Sequence, residues 1–224
     1  DPYRDGLSIY TTLDSRVQAV ADSSYERFIA EQQTILNQRL LNDPDELAEI
    51  IDTSQFSIDT LHQMIHGQAP LDSTLRSKLQ VQGALVSIDP TNGHILAMIG
   101  GRDFRVSKFN RATQAKRQPG SVFKPFIYTT AIDNGYPVTR QLLNQPVVLF
   151  LDDTTRWTPQ NYDRTTGGLT TLREGLRRSL NLISVRMVQE LVPPDRVVEY
   201  AHRMGLTTRL RAVDAIALGT SEVI

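Results

Sequence analysis

Apolar residues along this chain change their period more than once, and each change predicts a different element. Residues 7–12 mix β-branched and aromatic side chains (Ile9, Tyr10, Thr11, Thr12) and predict a short strand. From there Val17, Val20, Ala21, Phe28, Ile29, Ile35 and Leu36 fall three, four and seven apart, which is one stripe on a helix, with Asp14 or Ser15 placed to cap it. Two shorter helical pieces are predicted around 47–51 and 58–65, with Gly67 as a stop. At Gly83 the texture switches. Two apolar runs, 84–88 and 94–99, flank Asp89-Pro90-Thr91-Asn92-Gly93, and Asn-Gly between apolar runs predicts a hairpin. Both runs are nearly continuous in apolar residues, as strands inside a sheet with helices on its faces tend to be.

Beyond an Arg-rich connection the helical period returns. A helix is predicted over 121–133, with Pro125 tolerable near its first turn and Asn134-Gly135 ending it. Residues 147–151 read as a strand. Thr171-Leu172-Arg173-Glu174 has the form of a capping box opening another helix. A break at Ser179-Leu180-Asn181 precedes a helix running to Leu191, and Pro193-Pro194-Asp195 opens one more, closed by Gly205. Strands followed by many helices predict an α+β fold.

The chain's 224 residues, 40% hydrophobic, are enough for a full core and a satellite lobe. A formal net charge of -1 gives no ground for nucleic-acid binding as a main role. The charge is uneven, with acids crowding 43–59 and Arg102, Arg105, Lys108, Arg111, Lys116 and Arg117 preceding Ser121. That basic run is either a solvated loop or a positive rim for an anionic substrate. The absence of cysteine excludes a disulfide scaffold, a zinc ribbon and a thiol nucleophile. No apolar run reaches the ~18 residues of a membrane helix, and both ends read as cut from something longer.

The local pattern richest in chemistry is Gly120-Ser121-Val122-Phe123-Lys124 at a predicted helix start. Residues three apart share a helix face, so the Ser121 hydroxyl and the Lys124 amine can approach. A serine is a weak nucleophile until a base takes its proton. Lysine serves only when neutral, which burial or a nearby cation achieves, and Phe123, Pro125 and Phe126 offer an apolar setting. Downstream, Ser179 and Asn181 place a second hydroxyl and an amide in the break between two helices. Either pair alone also fits plain capping and a helix connection; together, Ser-x-x-Lys and Ser-x-Asn form part of one motif set. His62 and His66 lie four apart, but they lack the intervening glutamate and a third ligand, so no metal role is assigned.

The flanks carry a resemblance. Residues 109–114 (Phe-Asn-Arg-Ala-Thr-Gln) and 117–126 (Arg-Gln-Pro-Gly-Ser-Val-Phe-Lys-Pro-Phe) resemble the active-site segment of class A penicillin-binding proteins. So do Gly83 to Val86 with the turn after Asp89, residues 157–162 (Trp-Thr-Pro-Gln-Asn-Tyr), and 218–223 (Leu-Gly-Thr-Ser-Glu-Val). Tyr10-Thr11-Thr12-Leu13-Asp14 is similar to the link between that family's glycosyltransferase and transpeptidase domains.

The resemblance implies a penicillin-binding/serine β-lactamase-like transpeptidase fold, a central antiparallel sheet flanked by helices. Residues 1–12 would be a linker strand, 13–81 a helical insertion, and 82–224 the N-terminal part of the transpeptidase domain. The family's third motif, Lys-Thr-Gly, is absent from these residues and is expected beyond Ile224. The implied activity is a serine D,D-transpeptidase that cross-links peptidoglycan and is a target of β-lactams. In it Ser121 is the nucleophile, Lys124 its base, Ser179 a proton relay and Asn181 a holder of the peptide backbone, with the Ser121 N–H in the oxyanion hole. No metal or organic cofactor is implied. The implied partners are stem peptides ending in D-Ala-D-Ala, β-lactams and other wall-synthesis proteins, outside the cytoplasmic membrane and anchored through another segment. A D,D-carboxypeptidase or β-lactamase, which uses water as acceptor, and a non-catalytic module binding wall peptide or a partner remain the alternatives.

Overall fold

The computed structural model describes residues 6–52, 56–70, 73–150 and 156–224. The chain divides into two compact units, residues 1–115 and 116–224.

In the first unit α1 (Ser15–Asn42) is capped by Asp14, whose side chain accepts from the Arg16 N–H at 2.9 Å. The buried stripe of α1 is Ala21, Tyr25, Ile29 and Leu40, while Val20, Phe28 and Ile35 of the predicted stripe face solvent. Three short helices follow: α2 (Pro44–Ile50), α3 (Ile58–Ile65) and α4 (Ser73–Leu79), the last not predicted from periodicity. Asp43 and Ser57 cap α2 and α3 by accepting the backbone N–H groups of Glu46 and Thr60. Leu40, Leu47, Ile51, Leu61, Ile65 and Leu79 close a small core among the four helices. Each such side chain withdrawn from water contributes about 1.5–3 kcal/mol, which is what holds these short helices in place.

The predicted hairpin is β1 (Leu85–Ile88) and β2 (Ile95–Ile99), antiparallel with Leu85 opposite Ile99 and a bulge between Ser87 and Ile88. Its turn is held by the Asp89 carboxylate, which takes the Thr91 N–H at 2.9 Å and the Thr91 hydroxyl at 2.7 Å. Ala97 is fully buried, whereas Val86, Ile88 and Ile95 are exposed. Residues 7–12 are not a strand: they form no ladder, and the link to β2 is made instead by two bonds close to the helix start. The Thr12 hydroxyl donates to the Ile95 carbonyl at 2.7 Å, and the Asp14 N–H donates to that of Leu96 at 2.9 Å. Gln18 then accepts the Met98 N–H, so the opening of α1 covers the outer edge of β2. A four-residue helix, α5 (Arg111–Gln114), capped by Asn110, ends this unit.

In the second unit the helix predicted over 121–133 is split in two. Gly120–Phe123 form a 3₁₀ turn, and α6 (Lys124–Asp133) begins at the lysine and stops at Asn134. Strand β3 (Gln141–Leu143) pairs antiparallel with β6 (Leu169–Thr171), and β4 (Leu149–Phe150) with β5 (Arg156–Trp157). Part of the strand predicted over 147–151 is thus present, though Leu151 lies outside the described residues. Helix α7 (Leu172–Arg177) has the predicted Thr171 cap, accepting the Glu174 N–H at 3.2 Å. The Glu174 carboxylate does not reach back to complete the box but pairs with Arg177 at 2.7 Å. After the break come α8 (Asn181–Glu190) and α9 (Pro194–Arg203), then a 3₁₀ turn over Asp214–Leu218.

Helix α8 lies at the centre. Leu182 is buried, and Ile183, Val185, Met187 and Val188 share one core with Phe123, Ile127 and Ala131 of the 3₁₀ turn and α6. A helix buried on most of its circumference is closely packed, which fixes the backbone of its first turn.

Candidate active site

Ser121 stands on the 3₁₀ turn that opens α6, and two backbone features fix that turn. Gly120 has φ +55, a left-handed conformation that a side chain would strain. Gly219 packs against it so closely that a Cβ there would lie 2.3 Å from the Gly120 carbonyl oxygen. The Gly120 N–H donates to the Gly219 carbonyl at 3.2 Å, and Arg117 and Val223 exchange both backbone bonds at 3.0 and 2.9 Å. Residues 219–223 therefore pin the segment that carries Ser121, which gives the matched stretch 218–223 a physical role.

Lys124 is the first residue of α6, and its backbone N–H donates to the Ser121 carbonyl. Its side chain is buried, only 1% exposed, an unusual state for a lysine. The Nζ donates to the Ser179 carbonyl at 2.6 Å, to the Ser179 hydroxyl at 3.0 Å and to Asn181 Oδ1 at 2.7 Å. Burial pushes its pKa down from 10.5 to about 8. Of the apolar residues beside it in sequence, Phe123 is buried and tilts against the half-buried Phe126 at 5.1 Å, while Pro125 is exposed.

Ser179 and Asn181 come from the break between α7 and α8. Ser179 has φ +53, a left-handed conformation that a non-glycine residue rarely adopts. The kink turns both its carbonyl and its hydroxyl toward Lys124. Asn181 opens α8 and spans two partners: Oδ1 accepts from Lys124, and Nδ2 donates to the Gln160 carbonyl at 2.8 Å.

Ser121 is exposed and lines a cleft of about 390 Å³ together with Ser179 and Asn181. Among the described residues no group hydrogen-bonds its hydroxyl. Thus the structure joins Lys124, Ser179 and Asn181 directly and sets Ser121 one turn before Lys124, facing the same cleft. Tyr162, fully exposed, and Asp163 and Arg178, 3.5 Å apart, also line it. Bonds from Thr165 and the charge of Arg178 hold the Asp163 carboxyl below its ordinary range.

Other candidates fall elsewhere. Arg102 donates to Gln33 at 2.8 Å, Arg105 pairs with Asp103 at 2.9 Å, and Arg111 lies over the Phe109 ring, so these three of the basic run are engaged within the first unit. Trp157 is half-buried against the core of the second unit and lines a different cavity. Sequence reasoning missed Asn161, which is buried and bonded to the start of α8. Nothing in its composition or spacing marks it; it stands out only as part of the matched stretch 157–162.

Comparison with known proteins agrees with this architecture. Residues 83–216 match the model of the penicillin binding protein transpeptidase domain, more than half of the chain. Penicillin-binding protein 1A of Pseudomonas aeruginosa is 41% identical over 165 residues, covering 71% of this chain and 20% of that protein. Penicillin-binding protein 1A of Rickettsia prowazekii is 29% identical over 98% of this chain and 35% of its own length. The crystal structure of penicillin-binding protein 1A from Haemophilus influenzae superposes with a TM-score of 0.60 at 35% identity, over 64% of this chain and 22% of that one. PonA1 of Mycobacterium tuberculosis, solved with penicillin V, covers 99% of this chain and 49% of its own at a TM-score of 0.60; its 23% identity speaks for the fold alone.

The chain, with its buried lysine one turn from an open serine, thus carries the fold of penicillin-binding transpeptidases. The chain belongs to the penicillin-binding protein transpeptidase domain family, and its relatives there are class A proteins of the 1A kind. It spans about a fifth to a third of the length of those relatives.

Proposed function

We propose that this chain carries the acylating residues of a serine D,D-transpeptidase that cross-links peptidoglycan. The observation that carries the reading is the buried Lys124 amine, held by Ser179 and Asn181, two residues that line one cleft with the open Ser121, which stands one turn before the lysine.

As an ammonium, Lys124 spends all three N–H bonds on Ser179 and Asn181 and has no lone pair to offer. Burial makes it give up one proton near pH 8, after which the nitrogen can accept the Ser121 proton. Of its three acceptors only the Ser179 hydroxyl can also donate, so that bond can reverse when the amine is neutral. Ser121 Oγ bonds to the carbonyl carbon of the penultimate D-alanine, and its proton passes to Lys124. The C–N bond to the terminal D-alanine breaks, and the leaving nitrogen takes a proton through Ser179. An amine of a second stem peptide then displaces Ser121, returning its oxygen to the hydroxyl. Asn181 offers a fixed amide to the donor peptide. A β-lactam enters the same first step, its ring nitrogen remaining attached after the ring C–N bond opens. The relatives' name supports that ligand class. On this reading the reaction takes place outside the cytoplasmic membrane. Among the described residues no helix is long and apolar enough to span one.

The test is to treat the complete protein with a penicillin and map the adduct after tryptic digestion. Because Lys124 precedes proline, the expected site lies in one peptide, residues 118–140, with the added mass on Ser121. A folded protein that takes no adduct would sink the acyl-enzyme and leave a module that binds wall peptide. Rapid loss of the adduct to water would instead indicate a β-lactamase.

A further inference from the structure

Resting on that reading, we infer that Asn161 is a positioning residue: it caps α8 from outside and so fixes the Asn181 amide against Lys124.

The start of α8 lacks the usual device. Its capping position is Leu180, which has no side-chain acceptor, so the backbone N–H groups of the first turn need another partner. Asn161, 3% exposed and twenty-one residues away in sequence, supplies one: its Oδ1 accepts the Leu182 N–H at 3.2 Å. Its Nδ2 is fully used, donating to Asn144 Oδ1 at 2.9 Å and to the Thr165 carbonyl at 2.7 Å. Asn144 is itself buried, and its backbone bonds to Gly167 and Gly168 at 2.7 and 3.1 Å. The Asn161 side chain therefore cannot rotate without breaking buried bonds, and its orientation is set from behind.

Two links run from this anchor to the chemistry. Leu182 follows Asn181 directly, so the cap fixes the backbone from which the Asn181 side chain projects. Gln160 precedes Asn161 directly, and its carbonyl takes the Asn181 Nδ2 at 2.8 Å. With Nδ2 held there, Oδ1 points at Lys124 Nζ, 2.7 Å away. An Asn amide read only from Lys124 can flip; one fastened at both ends cannot. The neighbouring Ser179 sits in a strained left-handed conformation, and such a residue persists only where its surroundings over-determine it. Asn161 is part of that surround and need not touch a ligand.

The experiment compares Asn161→Ala with wild type in the complete protein, separating the acylation rate constant of a penicillin from its initial binding constant. The expected result is a 10- to 100-fold fall in the rate constant, the scale for a displaced catalytic group, with initial binding changed less than threefold. Leu142→Ala, a core truncation on β3 near Asn144, is the control for general loosening; an equal fall there overturns the inference, as does an unchanged rate in Asn161→Ala. Should Asn161→Ala not fold, Asn161→Asp is read instead. It keeps the oxygen for Leu182 and loses both donations, and a wild-type rate in it overturns the inference. A second readout needs no acylation: solvent exchange of the Asn181 side-chain amide, followed by NMR, should accelerate at least tenfold in Asn161→Ala, and unchanged protection overturns the inference. If the wild type takes no adduct at all, the transpeptidase reading has failed and the amide exchange alone decides the role of Asn161.

Discussion

Changing Ser121 to alanine is expected to abolish covalent labelling by penicillin while leaving the protein folded and able to bind the drug reversibly. Ser121 is exposed on its 3₁₀ turn, and its hydroxyl bonds nothing among the described residues, so its loss removes no packing and orphans no partner. Surface changes of that kind usually stay within about 0.5 kcal/mol. The turn itself is held by Gly120, Gly219 and the Arg117–Val223 bonds, none of which involves the hydroxyl. Loss of label with an unchanged melting temperature is therefore diagnostic. Mass spectrometry of the intact protein reads the adduct, and displacement of a fluorescent ligand reads the reversible complex. Label persisting in Ser121→Ala would assign the nucleophile elsewhere.

Lys124→Met is expected to slow acylation by about a thousandfold, mid-range for losing a general base, and to remove its dependence on pH near neutrality. In the wild type the acylation rate should rise about tenfold per pH unit below about 8 and level off above it, because only the neutral amine accepts the proton. Near pH 7 about a tenth of the molecules carry the neutral form on that basis. The same lysine affects folding. Its pKa is about 8 folded and near 10.5 unfolded, so between those values the unfolded chain binds more protons. Stability contributed by this group is thus complete above 10.5 and lost as pH falls through about 8. Methionine, similar in length and uncharged, should flatten that segment of the stability curve. A rate profile in Lys124→Met that still rises through pH 8 would show that another group is the base.

Much of this was legible in the residues, for reasons that differ by element. Capping chemistry is local, so Asp14, Thr171, Asn134 and the turn after Asp89 fall where their short side chains and the Asn-Gly pair placed them. The amphipathic stripe of α1 is legible only in part, because Val20, Phe28 and Ile35 are apolar yet exposed, and period alone does not say which side of a broad stripe is covered. Residues 7–12 have strand composition without a ladder; composition cannot supply a pairing partner. The four candidate site residues are readable as spacing, three apart and two apart. The bonds joining Lys124 to Ser179 and Asn181 cross more than fifty residues of sequence and exist only through the packing of α6 on α8. Asn161 was illegible for the same reason, since a buried amide and a loop amide look identical in a string of letters.

Ser179 carries a consequence for anyone who engineers this protein. Its left-handed backbone is the conformation glycine adopts freely, so a screen for heat tolerance alone would be drawn to glycine there and reward a relaxed chain. The same exchange deletes the one acceptor on Lys124 that can also return a proton. On the proposed reading, directed evolution toward robustness and directed evolution toward turnover would therefore part company at this residue, and a library selected only on survival would fill with durable, silent variants.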